Sequence, residues 1–240
     1  MINHALLNNV DHKDLRVDIR PGADPADNIM CTLAIPSEFR SLQADFAIFF
    51  HKNEETGKFL PMVMFGFQTG ENLYLNDGRW EAMYIPLMIE RGPFLIGFQN
   101  AVENGVTQKK MVISIDMDNP RVGCAEGEPL FQPFGGNSEY TDHIVAVLQE
   151  IDKGQAMIEE LVDALLAHDL IEPFTLDIEL DNREKNSLQG FHTIHEEKLA
   201  ALDGEVLADF SRRGILQAAY MMVASMVNIR KLITLKNRSL

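Results

Sequence analysis

The sequence predicts an α+β fold, in which an antiparallel, β-rich N-terminal half, either a meander or barrel-like, packs with a helical C-terminal half. Two observations predict it. In the first half, short apolar or alternating runs follow one another too closely for crossover helices to fit between them. In the second half, apolar residues recur at helical spacing and glycines punctuate the segments. No linker separates the halves, so we expect one domain over residues 1–240, β-rich over 1–135 and helix-rich over 136–240.

The strand signals of the first half are short segments bounded by turn residues. The predicted strands cover residues 45–50, 59–67, 72–75, 82–89, 94–98 and 110–117. Turn signals follow at residues 55–57, 69–70, 76–78, 91–93 and 103–105. The clearest is Asn76-Asp77-Gly78, because Asp-Gly suits a hairpin turn with positive φ at both central positions. Neighbouring strands are therefore expected to pair antiparallel.

The second half begins after a glycine- and proline-rich loop over residues 121–136. Asn137 or Ser138 is placed to cap a helix that ends at His168-Asp169, with Gly154 placed to interrupt it. Residues 174–180 alternate apolar and polar and predict one strand, followed by a polar loop over 182–186. The helices predicted after this loop cover residues 195–202, 205–213 and 215 to about 234.

Composition and charge limit the classes of partner. The chain has 240 residues and a formal net charge of −15, which argues against broad contact with nucleic-acid phosphates or anionic lipid. We expect a protein partner or a small polar ligand. Cys31 and Cys124 lie outside any metal-binding spacing and are expected to be free thiols. Neither phosphate-binding glycine loop occurs, so no cofactor is expected.

The chain carries no predicted membrane or export signal. Residues 215–229 form its most apolar segment, which is shorter than a bilayer span and contains Gln217, Ser225 and Asn228, so we expect a buried helix. A homo-oligomer with this helix at its interface is an alternative. Polar residues interrupt the apolar positions of the N-terminus, which excludes the apolar core of a secretory signal. We therefore expect a cytoplasmic protein.

Two acidic or histidine-containing clusters are candidates for a metal-dependent enzyme. On a helix, His192 and His195 would lie on one face beside Glu196, although Thr193 and Glu196 also have the spacing of a capping box. Asp116 and Asp118 follow an apolar strand, where two carboxylates can hold Mg²⁺ or Mn²⁺, but Asn119-Pro120 next to them indicates a turn. The structural interpretation is favoured in both cases.

The most distinctive segment covers residues 65–94, where glycines, aromatic residues and charged residues are interspersed. Aromatic faces beside carboxylate, amide and guanidinium groups suit a sugar or another small polar ligand. The candidate ligand-binding residues are Glu71, Asn72, Trp80, Tyr84 and Arg91. The alternative is that the segment supplies hairpin turns and a sheet core, and the pattern favours this alternative.

The order of residues in this segment resembles the SapC family of bacterial proteins, which is named after a gene of a surface-layer locus. Residues 66–94 read GF-x2-GENLYL-x2-GRW-x3-YIP-x4-R-x-PF. Further matching positions are residues 12–17, 115–116, 126–131, 188–191 and 197–199, with Tyr220, Ser225 and Asn228. The resemblance thus extends over nearly the whole chain.

This resemblance implies an association with the surface layer by name, and no catalytic residue. Relatives often accompany outer-membrane receptor, halogenase-like and oxygenase-like genes, which implies an accessory role in nutrient use. We therefore expect a non-catalytic accessory protein that binds a partner or a small polar or carbohydrate ligand. The alternative is a metal-dependent enzyme that uses Asp116 and Asp118, or His192 and His195.

Overall fold

The computed structural model describes residues 3–103 and 106–240. The chain forms two compact units. Unit 1 comprises Met1–Asp27, Asp77–Arg79 and Leu87–Asp152, and unit 2 comprises Asn28–Asn76, Trp80–Pro86 and Lys153–Leu240. The prediction of a single domain over residues 1–240 stays a prediction.

The secondary structure follows the chain in this order. The strands are β1 His4–Leu6, β2 Arg16–Val17, β3 Cys31–Leu33, β4 Ile48–Lys52, β5 Phe59–Met64, β6 Leu75–Asn76, β7 Arg79–Trp80, β8 Phe94–Glu103, β9 Val106–Asp116, β10 Glu128–Pro129, β11 Ile171–Glu179 and β12 Lys185–Ile194. The α-helices are α1 Phe39–Leu42, α2 Leu87–Glu90, α3 Glu139–Ala167, α4 Glu196–Ala200, α5 Gly204–Arg212, α6 Ile215–Ser225 and α7 Asn228–Arg238.

Unit 1 is built on an antiparallel three-stranded sheet with the order β1-β9-β8. The long strands pair from Phe94 opposite Ile115 outward, and β1 pairs only with the last residues of β9. Apolar side chains of the sheet, of the loops and of the first turns of α3 form its core. These buried residues are Val17, Phe94, Ile115, Leu130, Phe131, Ile144 and Leu148.

Buried polar contacts hold the loops of unit 1 in place. Arg121 and Asp27 form an ion pair, and both residues are almost fully buried. A hydrogen bond from the Arg20 side chain lowers the pKa of Asp18 to about 2. At Gly127 a Cβ would lie 2.5 Å from the carbonyl oxygen of Val17, so only glycine allows this close approach.

Unit 2 contains an antiparallel five-stranded sheet with the order β11-β12-β4-β5-β3. The helices α6 and α7 meet at a break, and the side chains at this break bind the chain that enters β4. The Ser225 hydroxyl accepts the Ile48 N–H at 2.9 Å, and the Asn228 side-chain amide donates to the carbonyls of Gln43 and Phe46. These bonds fix the two helices against the sheet, because buried backbone groups require partners.

The predicted fold class is confirmed. The sheets of the first half are antiparallel and open rather than closed into a barrel, and helices dominate the second half. The hairpin turn at residues 76–78 is present, because Asp77 and Gly78 both have positive φ, at +48° and +71°. The turn predicted at residues 103–105 includes Asn104 and Gly105, which lie outside the described residues, as do Met1 and Ile2.

Several predicted elements are wrong in detail. Residues 82–89, predicted as a strand, are irregular before α2 begins at Leu87. The loop predicted at 182–186 already contains the start of β12. The last predicted helix is two helices, α6 and α7. Gly154 does not interrupt α3; its missing side chain makes room for Ile35, whose Cγ2 would lie 2.5 Å from a Cβ there.

The most apolar segment of the chain, residues 215–229, is divided between α6 and α7. Ala219 and Met222 of α6 are fully buried, as expected for a helix that packs inside a protein. Across the two described stretches of chain, helices that combine sufficient length with sufficient apolarity to span a bilayer do not occur.

Candidate functional site

The loop after β5 folds back on itself through Glu71. The Glu71 carboxylate accepts the Phe67 N–H at 2.8 Å, and the Glu71 N–H donates to the Gln68 carbonyl at 3.1 Å. Gly66 is required for this geometry, because a Cβ there would lie 2.6 Å from the Glu71 carbonyl oxygen. The GF-x2-GE pattern therefore encodes a tight loop.

Glu71 also forms an ion pair with the last helix. Lys236 of α7 lies 2.6 Å from the second Glu71 oxygen, and both side chains are largely buried. Both carboxylate oxygens of Glu71 are thus occupied by partners inside unit 2. This pairing anchors the C-terminal helix to the loop, because separating the two groups would leave a charge without a partner in a poorly hydrated position.

Asn72 and Tyr74 continue the same network. The Asn72 side-chain oxygen accepts the Tyr74 N–H at 3.1 Å, and the Tyr74 hydroxyl donates to the Asp45 carbonyl at 2.7 Å. The Asp45 carboxylate in turn binds Lys231 at 2.5 Å. Burial, and after it the nearby Asp45 charge, raise the pKa of Tyr74 well above its usual range.

Trp80 and Tyr84 close an aromatic cluster. The Trp80 ring packs edge-on against Phe65 at 5.6 Å and stacks with Tyr74 at 6.4 Å between centroids. Its N–H donates to the Tyr84 carbonyl at 2.8 Å, and the Tyr84 hydroxyl donates to Glu38 at 3.0 Å. We call Glu71, Asn72, Tyr74, Trp80 and Tyr84 the bracing residues, because each of them forms hydrogen bonds inside unit 2.

The fifth predicted ligand-binding residue, Arg91, belongs to unit 1. Its guanidinium donates to the Phe94 carbonyl at 2.9 Å and so holds the start of β8. Burial lowers the pKa of Arg91. The other four predicted residues, Glu71, Asn72, Trp80 and Tyr84, lie in unit 2.

A polar groove of about 660 Å³ lies over the Glu71 loop. Glu71 and Asn72 line it, whereas Trp80 and Tyr84 are not among the described residues that do so. Four further lining residues are exposed and have no side-chain hydrogen bond or ion pair to any described residue. These residues, which we call the rim, are Asn28, Gln68, Thr69 and Arg238.

None of the rim residues is among those predicted from the sequence to bind a ligand. Gln68 and Thr69 fall inside the distinctive segment but occupy the unspecified positions of the motif, and Arg238 lies at the far end of the chain. A weak signal existed, since Thr69-Gly70 marks an exposed turn next to a buried strand, and functional groups often occupy such turns. The chemistry of the rim is amide, hydroxyl and guanidinium, with few apolar atoms.

The histidine cluster does not have the predicted geometry. His192 lies in strand β12 and not on a helix, so residues 192 and 195 do not share a helical face. Its ring packs edge-on against Phe59 at 4.8 Å, and burial followed by the charge of Lys52 lowers the pKa of His192. His195 caps α4 by accepting the Lys198 N–H, which replaces the capping box predicted at Thr193.

The carboxylate pair forms a turn. The Asp116 side chain accepts the Asp118 N–H at 3.1 Å, and Asn3 donates to Asp118 at 3.4 Å. Among the residues that the structure describes, no three His, Cys, Asp or Glu side chains are grouped so that they could hold a metal ion. Asp116 instead supports a turn and His195 a helix cap, so in each pair at least one side chain has a local structural role.

Comparison with known proteins gives a family and no closer relative. No curated protein and no solved structure matches the chain significantly. The SapC family model matches residues 7–232, which include the Glu71 loop, the aromatic cluster and part of α7. Because this match covers nearly all of the 240 residues, the chain belongs to the SapC family.

Proposed function

We propose that this SapC protein is a non-catalytic accessory protein that binds a small polar ligand, of the carbohydrate class, in the polar groove. The observation that carries the proposal is the contrast between the groove's floor and its rim. The floor is held by Glu71 and Asn72, whose side chains are engaged with the protein, while the rim offers side chains without partners among the described residues.

The floor supports binding because internal contacts already hold its side chains. Glu71 is held by the Phe67 N–H and by Lys236, and Asn72 is almost fully buried. A site that is ordered in the free protein loses less conformational entropy on binding than a mobile one. Gly70 leaves space for a ligand at the groove, since no described atom lies within 4 Å of where its Cβ would be.

The rim chemistry matches a polyhydroxylated ligand. The amides of Asn28 and Gln68 and the hydroxyl of Thr69 each combine donor and acceptor atoms, and so does every sugar hydroxyl. Arg238 adds a fork of donors that can bind two oxygens at once. A groove with several such groups over a few apolar atoms of Leu73 and Leu75 provides orientation and some burial.

Trp80 provides the readout for this proposal. It is the only tryptophan, and it stacks on Tyr74, which stands between the groove-lining residues Leu73 and Leu75 in the chain. Of the predicted ligand residues, we propose that Trp80 and Tyr84 support the groove from the aromatic cluster. Arg91 is not assigned to the groove.

A ligand screen tests the proposed function. Purified protein is titrated with a panel of neutral and acidic oligosaccharides and small polyols while Trp80 emission is recorded. We expect at least one saccharide to shift the emission in a saturable way, without added metal. If no member of the panel changes the emission and calorimetry finds no binding either, the proposal is wrong.

The cellular location follows from composition and family name and is part of the proposal. We place the chain in the cytoplasm, with association with surface-layer material as the alternative that the family name supports. Fractionation of the source cells, followed by immunodetection in cytoplasmic and envelope fractions, decides between the two. Recovery in the envelope fraction that survives a high-salt wash would contradict the cytoplasmic placement.

A further inference from the structure

Strand β8 forms an open edge of the sheet in unit 1. In the order β1-β9-β8, β8 has a neighbour on one side only among the described strands. Its residues pair with β9 in ten consecutive positions, from Phe94 opposite Ile115 to Glu103 opposite Val106, without a register shift. Such a long, regular edge is unusual, since strands average about five to six residues.

The hydrogen bonds at the start of β8 reveal which backbone groups face outward. The Asp116 N–H donates to the Pro93 carbonyl at 3.0 Å, so residues 93 and 116 are a hydrogen-bonded pair. Hydrogen-bonded and non-hydrogen-bonded pairs alternate along an antiparallel ladder. The backbone N–H and C=O groups of Ile96, Phe98 and Asn100 therefore point away from β9.

Phe94 confirms this alternation. Its backbone N–H donates to the Arg91 carbonyl, and its carbonyl accepts from the Arg91 guanidinium, so neither group is used by β9. The equivalent outward groups of Ile96, Phe98 and Asn100 make no hydrogen bond to any residue within 3–103 or 106–240. The backbone N–H and C=O groups of these three alternate residues are thus available to a partner strand.

The sheet of unit 2 shows what a protected edge looks like. Its outer strand β11 contains Pro173 and the acidic residues Glu172, Asp177 and Glu179, and its register with β12 shifts between Phe174 and Leu176. Proline, charges and bulges are features by which proteins prevent edge pairing. The β8 sequence FLIGFQNAVE has no proline and no charge before its last residue, and the Phe98 side chain is 55% exposed.

We propose that the outer edge of β8 pairs antiparallel with β8 of a second copy of this chain. With the two-fold axis at Phe98, Phe98 faces its own equivalent and Ile96 faces Asn100 of the other copy. Each of these pairs can form two backbone hydrogen bonds, and the two Phe98 rings meet on one face. The result is a continuous six-stranded antiparallel sheet across two copies.

The edge is compatible with a second copy because residues 94–100 carry no charge that would repel their own equivalents. Two chains of net charge −15 repel each other, so a contact between them must avoid acidic side chains. Residues 94–100 are uncharged, and the nearest ionised groups on the paired strand are the basic Lys109 and Lys110. A contact confined to one strand edge is small, so a dissociation constant on the order of micromolar is expected.

Sedimentation analysis over a wide concentration range tests the proposal. We expect the full chain to change from monomer to dimer as its concentration rises. Phe98→Pro removes one outward N–H per copy and leaves the ladder to β9 intact, because the N–H of Phe98 does not face β9. It should weaken dimerisation about tenfold or more, whereas the control Phe98→Ile keeps that N–H and should retain the dimer.

Hydrogen exchange tests the same contact in the wild-type chain, so its result does not depend on how the variants fold. The amides of Ile96, Phe98 and Asn100 should exchange slowly at high concentration and quickly after dilution. The alternate amides of Leu95, Gly97 and Gln99 face β9 and should be protected at both concentrations. A chain that stays monomeric, or a dimer in which the three outward amides exchange equally fast at both concentrations, would overturn the proposal.

Discussion

The bracing residues and the rim residues are neighbours in unit 2, but they use their polar groups differently. Glu71, Tyr74, Trp80 and Tyr84 each bind another part of the unit, and all four belong to the pattern by which residues 66–94 resemble the family. Gln68, Thr69 and Arg238 of the rim have no such side-chain partners among the described residues. The difference teaches that the conspicuous residues build the scaffold, whereas the residues that we propose to bind the ligand are inconspicuous in the sequence.

The largest expected effect comes from breaking the ion pair between Glu71 and Lys236. Lys236→Met leaves the largely buried Glu71 carboxylate with only the Phe67 N–H, and should lower the free energy of unfolding by about 3 kcal/mol. Urea denaturation measures this change. Glu71→Leu combined with Lys236→Met should recover part of the loss, because no charge then remains unpaired. A loss below about 0.5 kcal/mol in the single variant would show that Glu71 is not a bracing residue.

The next effect is expected at Asn228, whose side chain binds the carbonyls of Gln43 and Phe46. Asn228→Ala should cost about 2 kcal/mol, since two polar groups lose their shared partner. The matched control is Asn237→Ala on the same helix, because Asn237 accepts a hydrogen bond at an exposed position. Thermal and urea denaturation should separate the two variants, and equal losses would contradict a specific role of Asn228 in holding the chain that enters β4.

A smaller effect is expected at Tyr84. Tyr84→Phe removes the hydrogen bond to Glu38 and should cost about 1 kcal/mol of unfolding free energy. Tyr220→Phe is the control, because Tyr220 is half-exposed and its hydroxyl has no hydrogen bond to any residue that the structure describes. The two variants differ from the wild type by one oxygen each. If Tyr84→Phe has the same free energy of unfolding as the wild type, Tyr84 is not a bracing residue.

The burial of Tyr74 predicts a loss of stability at alkaline pH. Burial raises the pKa of its hydroxyl in the folded protein above that in the unfolded chain, which is about 10. Its contribution is therefore complete below pH 10 and is lost as the pH rises further, because the unfolded chain releases the proton first. Denaturation between pH 9 and about 11 should show this decline in the wild type and a shallower one in Tyr74→Phe. Identical slopes would contradict the buried position of Tyr74.

The sequence allowed much of the fold to be predicted, because turns and periodicity are local signals. The Asp77-Gly78 turn was predictable from two residues whose backbone conformation is restricted. Strand β12 was not predictable in this way. The step of three positions from Leu188 to Phe191 on β12 opposes a step of two positions from Phe174 to Leu176 on β11, and Gly190 has φ +82°. This bulge breaks the alternation of apolar positions and gives the segment a helix-like spacing.

The candidate site was only half predictable. Glu71 and Asn72 were chosen because charged and amide residues among aromatics are distinctive, and both line the groove. Arg238 could not be chosen, because an exposed arginine near a chain end has no pattern that marks it. The ion pair of Lys236 with Glu71 brings the end of α7 to the groove. Contacts between residues so far apart in the chain do not leave a local trace.

The separation of scaffold from binding surface is tested most directly by comparing two arginines of α7. Arg238 belongs to the rim, and Arg230 is exposed on the same helix but does not line the groove. Calorimetric titration with the saccharide that shifts Trp80 emission should show binding weakened about tenfold or more in Arg238→Ala and unchanged in Arg230→Ala, at equal unfolding free energies. Equal affinities for Arg238→Ala and the wild type would contradict the claim that the rim binds the ligand.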